Sequence, residues 1–389
     1  MRSYNIDSFL EAGSFPELSL LCYSVSLEES KRRKLTRYSE GDILSQYIDV
    51  DSIHAEWTYD TDNIFEPGGI IPITLSFRLL PGHGLSKSTI LKPTYAPQSA
   101  EDYAYIFRPR VKFTRPGYYT DTYPFPFMIL KERVVNHGDA DSYKLYFEDE
   151  SCVFDYVNFD LASKFGYTWK QIVRIILNLT RQGGSDNIGI TGTANLTGTS
   201  YYQGDPMSAR QVLSYIAQMN GVFMTRKNDS NLYIRQMLDA EESGDRYVEA
   251  DEIRADYVFD VYREHDWPEV FTYKTVLVKP YNEISVSHSV NDPYQYFLNT
   301  NPFIVQDNVN TYFTLLWERL RKKLQYSGEE IITRFNPNYE IGDYISYIRR
   351  KRRGAIVSES GSPISIARIV WNGGAFCTIY GARFGVDNR

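Results

Sequence analysis

The sequence predicts an α+β protein in which β-strands dominate and two amphipathic helices lie in the middle of the chain. Of its 389 residues 15% are aromatic, with 32 Tyr and 21 Phe, and aromatic side chains suit the pleated, half-buried surface of a sheet. Apolar residues alternate with polar ones from Ile73 to Leu79, which is the period of a strand with one wet face. Because a chain of this length exceeds one ordinary core, we expect about two to four subdomains.

The first 140 residues contain short strand-like runs separated by turn signals. Pro67-Gly68-Gly69 precedes the alternating run and Pro81-Gly82 follows it, and these residue types favour turns. Closely spaced short strands of this kind predict a barrel or a sandwich. The charged segment from Glu28 to Arg37 is interpreted as a solvated loop or helix face rather than as a binding patch.

A first helix is predicted over residues 168–180. Thr168 and Gln171 have the spacing of a capping box, in which each side chain satisfies a backbone N–H of the other residue. Apolar residues then fall on one helical face. The stretch from Gly183 to Gly204 is rich in Gly, Ser, Thr and Asn, and it has no phosphate-binding spacing. We therefore interpret it as an extended hairpin or a loop.

A helix followed by a hairpin is predicted over residues 205–237. Asp205 is a suitable N-cap for a helix with Pro206 at its first position, and Gly221 stands where a left-handed C-terminal cap is expected. The runs from Val222 to Arg226 and from Leu232 to Gln236 then predict two paired strands.

The last part of the chain is predicted to contain one more helix, from Thr311 to Tyr326, and then strands. The late strands are expected over Tyr344 to Ile348, Pro363 to Trp371 and Ala375 to Phe384. The basic run from Arg349 to Arg353 is interpreted as a wet hairpin tip. An electrostatic contact with an acidic partner or with DNA is the alternative.

No residue pattern typical of catalysis, cofactor binding or metal binding occurs in the sequence, so we predict no site residues and no cofactor. The segment Glu148-Asp149-Glu150 is interpreted as a solvated acidic turn, although a single sequence leaves a glycosidase-like carboxylate pair open. The cysteines are expected to be reduced, buried and inert, and the histidines show no metal-ligand spacing; these residues are Cys22, Cys152, Cys377, His54, His83, His137, His265 and His288.

Charge and composition also indicate the class of partner. The net charge of −7 argues against a surface made to grip nucleic acid, because such surfaces are usually basic. An acidic surface would let DNA pass without sticking. Tyr suits interfaces that are apolar on one side and wet on the other, so the many Tyr residues favour a β protein that assembles with partners. No window of about 18 apolar residues is present to span a membrane.

Three segments resemble the tail hub family of tailed bacteriophages, which is shared with contractile injection systems. The first is the helix and hairpin from Met207 to Met237. The second is the turn from Asn301 to Ile304 before the helix of Thr311 to Tyr326, and the third is the segment from Phe335 to Ile345, which enters a late strand. The resemblance lies in the order and spacing of these segments, while the first 140 residues resemble the family only in being β-rich.

The resemblance implies a homotrimeric ring with two related β-barrels per chain. The ring would join the tail tube or a distal-tail protein to a spike, tip or fibre protein, and DNA would pass through the lumen without specific binding. The chain would act in the virion tail or baseplate after assembly in the host cytoplasm. The expected division is a first β-barrel-like domain over 1–140, a mixed α/β domain over 141–240, a second β-barrel-like domain formed by 241–297 with 331–389, and a helical insertion over 298–330.

Three other functions remain open from the sequence. The chain could be a distal-tail protein or another baseplate ring component, for which sixfold rather than threefold symmetry is expected. It could also be a tail-associated enzyme that degrades cell walls with two of its carboxylates, or a receptor-binding module with a Tyr-rich surface.

Overall fold

The structure is a computed structural model. It describes residues 14–28, 33–58, 69–85, 89–115, 118–135, 142–180, 191–192, 196–226, 231–235, 251–253, 258–263, 274–278, 283–287, 295–297, 301–303, 326–349, 359–360 and 364–384.

Strands make up most of the described regular structure, as the sequence predicts. They are β1 Pro16–Leu27, β2 Arg33–Arg37, β3 Ile48–Thr58, β4 Ile73–Leu79, β5 Tyr105–Arg115, β6 Tyr118–Thr122, β7 Met128–Val135, β8 Tyr143–Asp149, β9 Asn158–Phe159, β10 Thr191–Gly192, β11 Met207–Ser208, β12 Phe223–Arg226, β13 Leu232–Arg235, β14 Asp251–Ile253, β15 Val258–Arg263, β16 Lys274–Val278, β17 Glu283–Ser287, β18 Gln295–Phe297, β19 Tyr326–Arg334, β20 Tyr344–Arg349, β21 Glu359–Ser360, β22 Ile364–Trp371 and β23 Phe376–Phe384.

Fifteen of these strands belong to one sheet. Its main path runs β15-β19-β23-β22-β3-β4-β8-β7-β5-β1-β2, and in the part of the chain described here the path is open, with β15 and β2 at its ends. The link between the two halves of the sequence is the antiparallel pair β22–β3, in which Ile369 lies opposite Trp57. The β-rich α+β prediction is confirmed, and N-terminal and C-terminal strands share one sheet. The expected division into domains stays a prediction.

The strand β4 shows why these sequences form strands with one buried face. Ile73, Leu75, Phe77 and Leu79 are buried while the residues between them are at least partly exposed, as the alternation predicts. The late strands β20, β22 and β23 fall within one or two residues of their predicted bounds. One large apolar core takes in buried residues from both halves of the sequence, from Leu18 to Ile379. The ring of Phe335 stacks on Trp371 there at 4.3 Å between centroids.

Two α-helices are described, α1 Trp169–Leu179 and α2 Ala209–Met219. The capping box of Thr168 and Gln171 at the start of α1 is confirmed. The predicted start of α2 is wrong by three residues, because Ser208 and not Asp205 caps the helix through a second capping box with Gln211. Met207 and Ser208 pair with Asn158 and Phe159 as β11, which holds the backbone extended up to the cap.

The end of α2 and the hairpin after it follow the prediction. Gly221 has a φ of +60°, the left-handed conformation that an αL cap requires. β12 and β13 then pair antiparallel. Both helices bury their apolar faces in a second core, to which β5 and β7 contribute Ile106 and Ile129. The helices therefore pack against one end of the large sheet.

Two interpretations of charged segments are wrong. Arg33–Arg37 is strand β2 rather than a loop or helix face, and Arg33 is buried although Lys34 and Arg37 are exposed. Asp149 and Glu150 are buried rather than in a solvated turn. Asp149 accepts hydrogen bonds from the backbone N–H of Ile73 at 2.6 Å and of Ser151 at 2.5 Å, which compensates the cost of burying its charge.

Several predicted features lie wholly or partly outside the described residues. These are the helix from Thr311 to Tyr326, of which only Tyr326 is described, as the first residue of β19; half of the stretch from Gly183 to Gly204, in which 191–192 form β10; and the basic run after Arg349, the last residue of β20. None of the described helices is long and apolar enough to cross a membrane.

Candidate functional site: a junction of three sequence segments

Arg235 connects the hairpin to the segment from Phe335 to Ile345. Its guanidinium donates to the carbonyl oxygen of Ile341 at 2.6 Å and to a carboxylate oxygen of Asp343 at 2.8 Å, and lies 3.4 Å from Glu340. The Arg235 side chain is only 13% exposed, so these charge-assisted bonds are partly shielded from water. The second carboxylate oxygen of Asp343 accepts from the Glu340 N–H, which closes the turn around the guanidinium.

Gly342 has two separate structural reasons to be glycine. Its φ of +81° favours glycine. A Cβ at this position would also lie 2.7 Å from Cζ of Phe223 on β12. The turn therefore touches the hairpin closely at Gly342 and is bonded to it by Arg235.

A second turn lies at Asn336-Pro337, at the start of the same segment. The Asn336 side-chain oxygen accepts from the N–H of Asn338 at 3.0 Å, and its backbone oxygen accepts from Tyr339. This is the Asx-type bonding that favours Asn in turns.

The turn that begins at Asn301 is bound to the same helix and hairpin. The Asn301 amide donates to the carbonyl oxygen of Tyr215 at 3.0 Å and to the side chain of Gln218 at 3.1 Å, both on α2. The Phe303 ring packs at 5.2 Å from Trp169 of α1 and at 5.5 Å from Tyr215. All three segments that resemble the hub family therefore meet at the helix and hairpin, and we call this contact region the junction.

A buried ion pair holds β2 to the residue that follows β8. Arg33 donates to Glu150, and the two side chains are 4% and 0% exposed. The Tyr103 hydroxyl donates to the same carboxylate at 2.9 Å. Burial lowers the pKa of Arg33 and raises the pKa of Tyr103. The sequence analysis missed this cluster, because its members lie far apart in the chain and charged residues are rarely buried.

The cysteines are unsuited to nucleophilic chemistry. All three are free and buried, and burial raises the pKa of Cys22, of Cys152 and of Cys377 to about 12. At neutral pH they are therefore thiols, whereas the thiolate is the nucleophile. The prediction of reduced, buried cysteines is confirmed.

Two of the histidines are described, and the ring of each makes a hydrogen bond to a neighbouring residue in the fold. His54 is exposed, with Nδ1 at 2.9 Å from the side-chain oxygen of Asn372, and Nδ1 of His83 accepts from the N–H of Leu85. His137, His265 and His288 lie outside the described residues. Over the residues that the structure covers, no group of three His, Cys, Asp or Glu side chains could hold a metal ion.

A cavity of about 550 Å³ lies between the segment 89–96 and strands β5 and β7, with Lys92, Tyr95 and Asp102 among its lining residues. Asp102 accepts from the backbone N–H groups of Gln98 and Ser99 at 2.7 and 2.8 Å. The carboxylate thus shapes its own loop, and the described residues that line the cavity include no base paired with a nucleophile.

Large apolar side chains remain exposed at several places on the surface. Phe165 and Tyr201 are 52% and 57% exposed and pack edge to face at 5.4 Å, and Tyr119 at the tip of the β5–β6 hairpin is 66% exposed. Exposed aromatic side chains of this kind are enriched at protein interfaces.

No protein-family model matches the chain, and no curated protein matches it. Solved structures do. A tail protein from Neisseria meningitidis MC58 matches over 95% of this chain and 96% of its own, with 8% identity and a TM-score of 0.51. The 43 kDa tail protein of prophage MuSo2 from Shewanella oneidensis covers 94% and 98%, with 12% identity and a TM-score of 0.47. A type VI secretion component from E. coli covers 87% and 74%, with 9% identity and a TM-score of 0.44.

The Neisseria match extends over nearly the whole of both chains. Because the two sequences are only 8% identical, the match shows a shared fold and nothing more. The chain therefore shares its fold with that tail protein, and at the level of the fold this confirms the resemblance noted in the sequence.

Proposed function

We propose that the chain is a structural tail hub that assembles as a homotrimeric ring between the tail tube, or a distal-tail protein, and a spike, tip or fibre. The observation that carries this proposal is the fold shared over 95% of the chain with a protein described as a tail protein. In this role the lumen of the ring is a conduit for DNA, and the chain works in the virion tail or baseplate without catalysis.

The junction supports the structural part of the proposal. A ring subunit must transmit load between its parts without deforming. The junction meets this requirement because close contacts at Arg235, Gly342 and Asn301 connect the helices and the hairpin to the C-terminal segments. The pairing of β22 with β3 supports it too, since it joins strands from the two halves of the sequence in one sheet.

The test is the order of the assembled ring. Native mass spectrometry of the purified protein should give a complex of three times the 45.1 kDa chain mass. Electron-microscopy class averages of the ring, isolated or in particles, should show threefold symmetry. A sixfold ring would support a distal-tail or other baseplate ring protein instead. A stable monomer that never enters particles would refute both.

A further inference from the structure

The cavity of about 550 Å³ arises where two strands of the large sheet diverge. In the described part of the chain β5 and β7 are paired only at Phe107 and Met128. Two positions further along β7, the carbonyl oxygen of Leu130 accepts instead from the N–H of Thr94 at 2.9 Å. The segment 89–96 thus takes the place beside β7, and the cavity lies between this segment and β5. Its volume is within the range of about 300–1,000 Å³ that is typical of small-molecule sites.

The bottom of the cavity is apolar. Ile90, Phe107 and Leu130 line it and are 5%, 1% and 2% exposed. A hydroxyl group placed against these side chains would lose its hydrogen bonds to water without replacement, which is costly. A ligand that fills the cavity must therefore bring an apolar group to the bottom.

The rim of the cavity is polar and carries both signs of charge. Lys92 and Asp102 line it and are exposed. The two hydrogen bonds that Asp102 accepts from its own loop both go to Oδ2, so Oδ1 can accept from a ligand. The ammonium can only donate and the carboxylate can only accept, whereas a hydroxyl group does both. A charged ligand of either sign would meet a like charge at this rim, so the rim favours a neutral ligand with several hydroxyl groups.

An exposed aromatic ring also stands at the rim. Tyr95 lines the cavity and is 67% exposed. Its backbone is held in place, because its carbonyl oxygen accepts from Nζ of Lys131 at 2.7 Å and the preceding residue is bonded to β7. A platform that is already ordered loses less entropy when it binds a ligand. The C–H face of a sugar ring can pack on such a ring, which combines apolar area with a polar tip.

We propose that this cavity binds a short neutral saccharide built of N-acetylated hexosamines. The acetamido methyl group supplies the apolar group that the bottom requires, hydroxyl groups meet Lys92 and Asp102, and one sugar ring packs on Tyr95. A purely apolar ligand has no groups for the rim, and a hexose that carries only hydroxyl groups has none for the bottom. The site lies within one chain, so it does not depend on the proposed ring.

The test is saturation-transfer difference NMR of the full chain with N,N′-diacetylchitobiose at millimolar concentration. The acetamido methyl protons should receive the strongest saturation, because they lie deepest in the cavity. Cellobiose is the same disaccharide with hydroxyl groups in place of the acetamido groups. It should bind at least about 10-fold more weakly, since it loses the buried methyl group and brings a hydroxyl group to the apolar bottom.

Substitutions of Tyr95 test the site itself. Tyr95→Ala should weaken binding at least about 5-fold, and Tyr95→Phe should retain it, because packing on the sugar needs the ring and not the hydroxyl group. Tyr119→Ala is the matched control, since Tyr119 is 66% exposed but lies on β6, outside the lining of the cavity. Its binding should equal that of the unaltered chain. The proposal is overturned if the unaltered chain does not bind N,N′-diacetylchitobiose, if cellobiose binds equally well, or if Tyr95→Ala binds as tightly as Tyr119→Ala.

Discussion

Gly342 lies directly against the ring of Phe223, which leaves no room for a side chain at the turn. Its α-carbon hydrogen points to Cζ of Phe223, where a Cβ would approach to 2.7 Å, and its φ is +81°. The turn before β20 and the hairpin β12–β13 are therefore fitted to each other at this point.

Gly342→Ala should destabilise the chain more than a positive φ alone explains. Gly166 provides the matched control, since its φ is +80° and a Cβ there would meet nothing within 4 Å. Gly166→Ala should cost about 1–2 kcal/mol of unfolding free energy through backbone strain. Gly342→Ala should cost about 1–3 kcal/mol more, because the Phe223 ring must shift in a packed core. Equal losses in urea unfolding would show that the contact with Phe223 is unimportant.

Arg235→Ala should detach the turn from the hairpin. It removes the bonds to Ile341 and Asp343. Hydrogen bonds to charged groups contribute about 1.5–3 kcal/mol each, so we expect a loss of about 3–6 kcal/mol. Arg235→Lys should lose less, because it keeps the charge without the planar fork. Amide exchange at residues 340–343 should accelerate in Arg235→Ala.

The control for this prediction is Arg78→Ala. Arg78 pairs with Asp49 at 3.2 Å, but its side chain is 50% exposed, and surface pairs contribute about 0–1 kcal/mol. If both variants lose the same stability, the junction is no stronger than an ordinary surface contact.

The sequence predicted those features of the fold that depend only on residues close together in the chain. The capping box at Thr168 depends on residues three apart, and the alternation of β4 depends only on its own residues, so both were predictable. The start of α2 is also marked by two residues three apart, Ser208 and Gln211. Asp205-Pro206 offers a second local start, and the pairing of Met207 with Phe159, 48 positions earlier in the chain, decides between them.

The same limit applies to the functional surfaces. The Arg33–Glu150 pair joins residues 117 positions apart, so only the fold brings the two charges together. The segments that resemble the hub family were recognisable in the sequence, but their meeting at Arg235 required the fold.

Replacing only one partner of the buried Arg33–Glu150 pair should lower the free energy of unfolding more than replacing both. Arg33→Met leaves the Glu150 charge buried, and the loss should be about 3–5 kcal/mol. The double variant Arg33→Met/Glu150→Gln should lose less than the sum of the single variants, with a coupling of at least about 2 kcal/mol in a double-mutant cycle. The exposed pair Arg78–Asp49 should give a coupling below about 1 kcal/mol. Additive losses for Arg33 and Glu150 would contradict the pairing.

Glu148→Gln should stabilise the chain at neutral pH and have no such effect in acid. Burial raises the pKa of Glu148 above its ordinary value of 4.5, against the attraction of Lys131. The folded carboxyl therefore holds its proton to a higher pH than the unfolded one, and the stability of the chain falls as the pH rises from 4.5 through the folded pKa. Gln has no charge to bury, so the variant should have the higher melting temperature at pH 7, and the difference should shrink towards pH 4. Glu132→Gln, at an exposed position of β7, removes the same charge and should show no comparable gain. A gain for Glu148→Gln that is equal at pH 4 and pH 7 would mean that packing, and not the buried charge, is responsible.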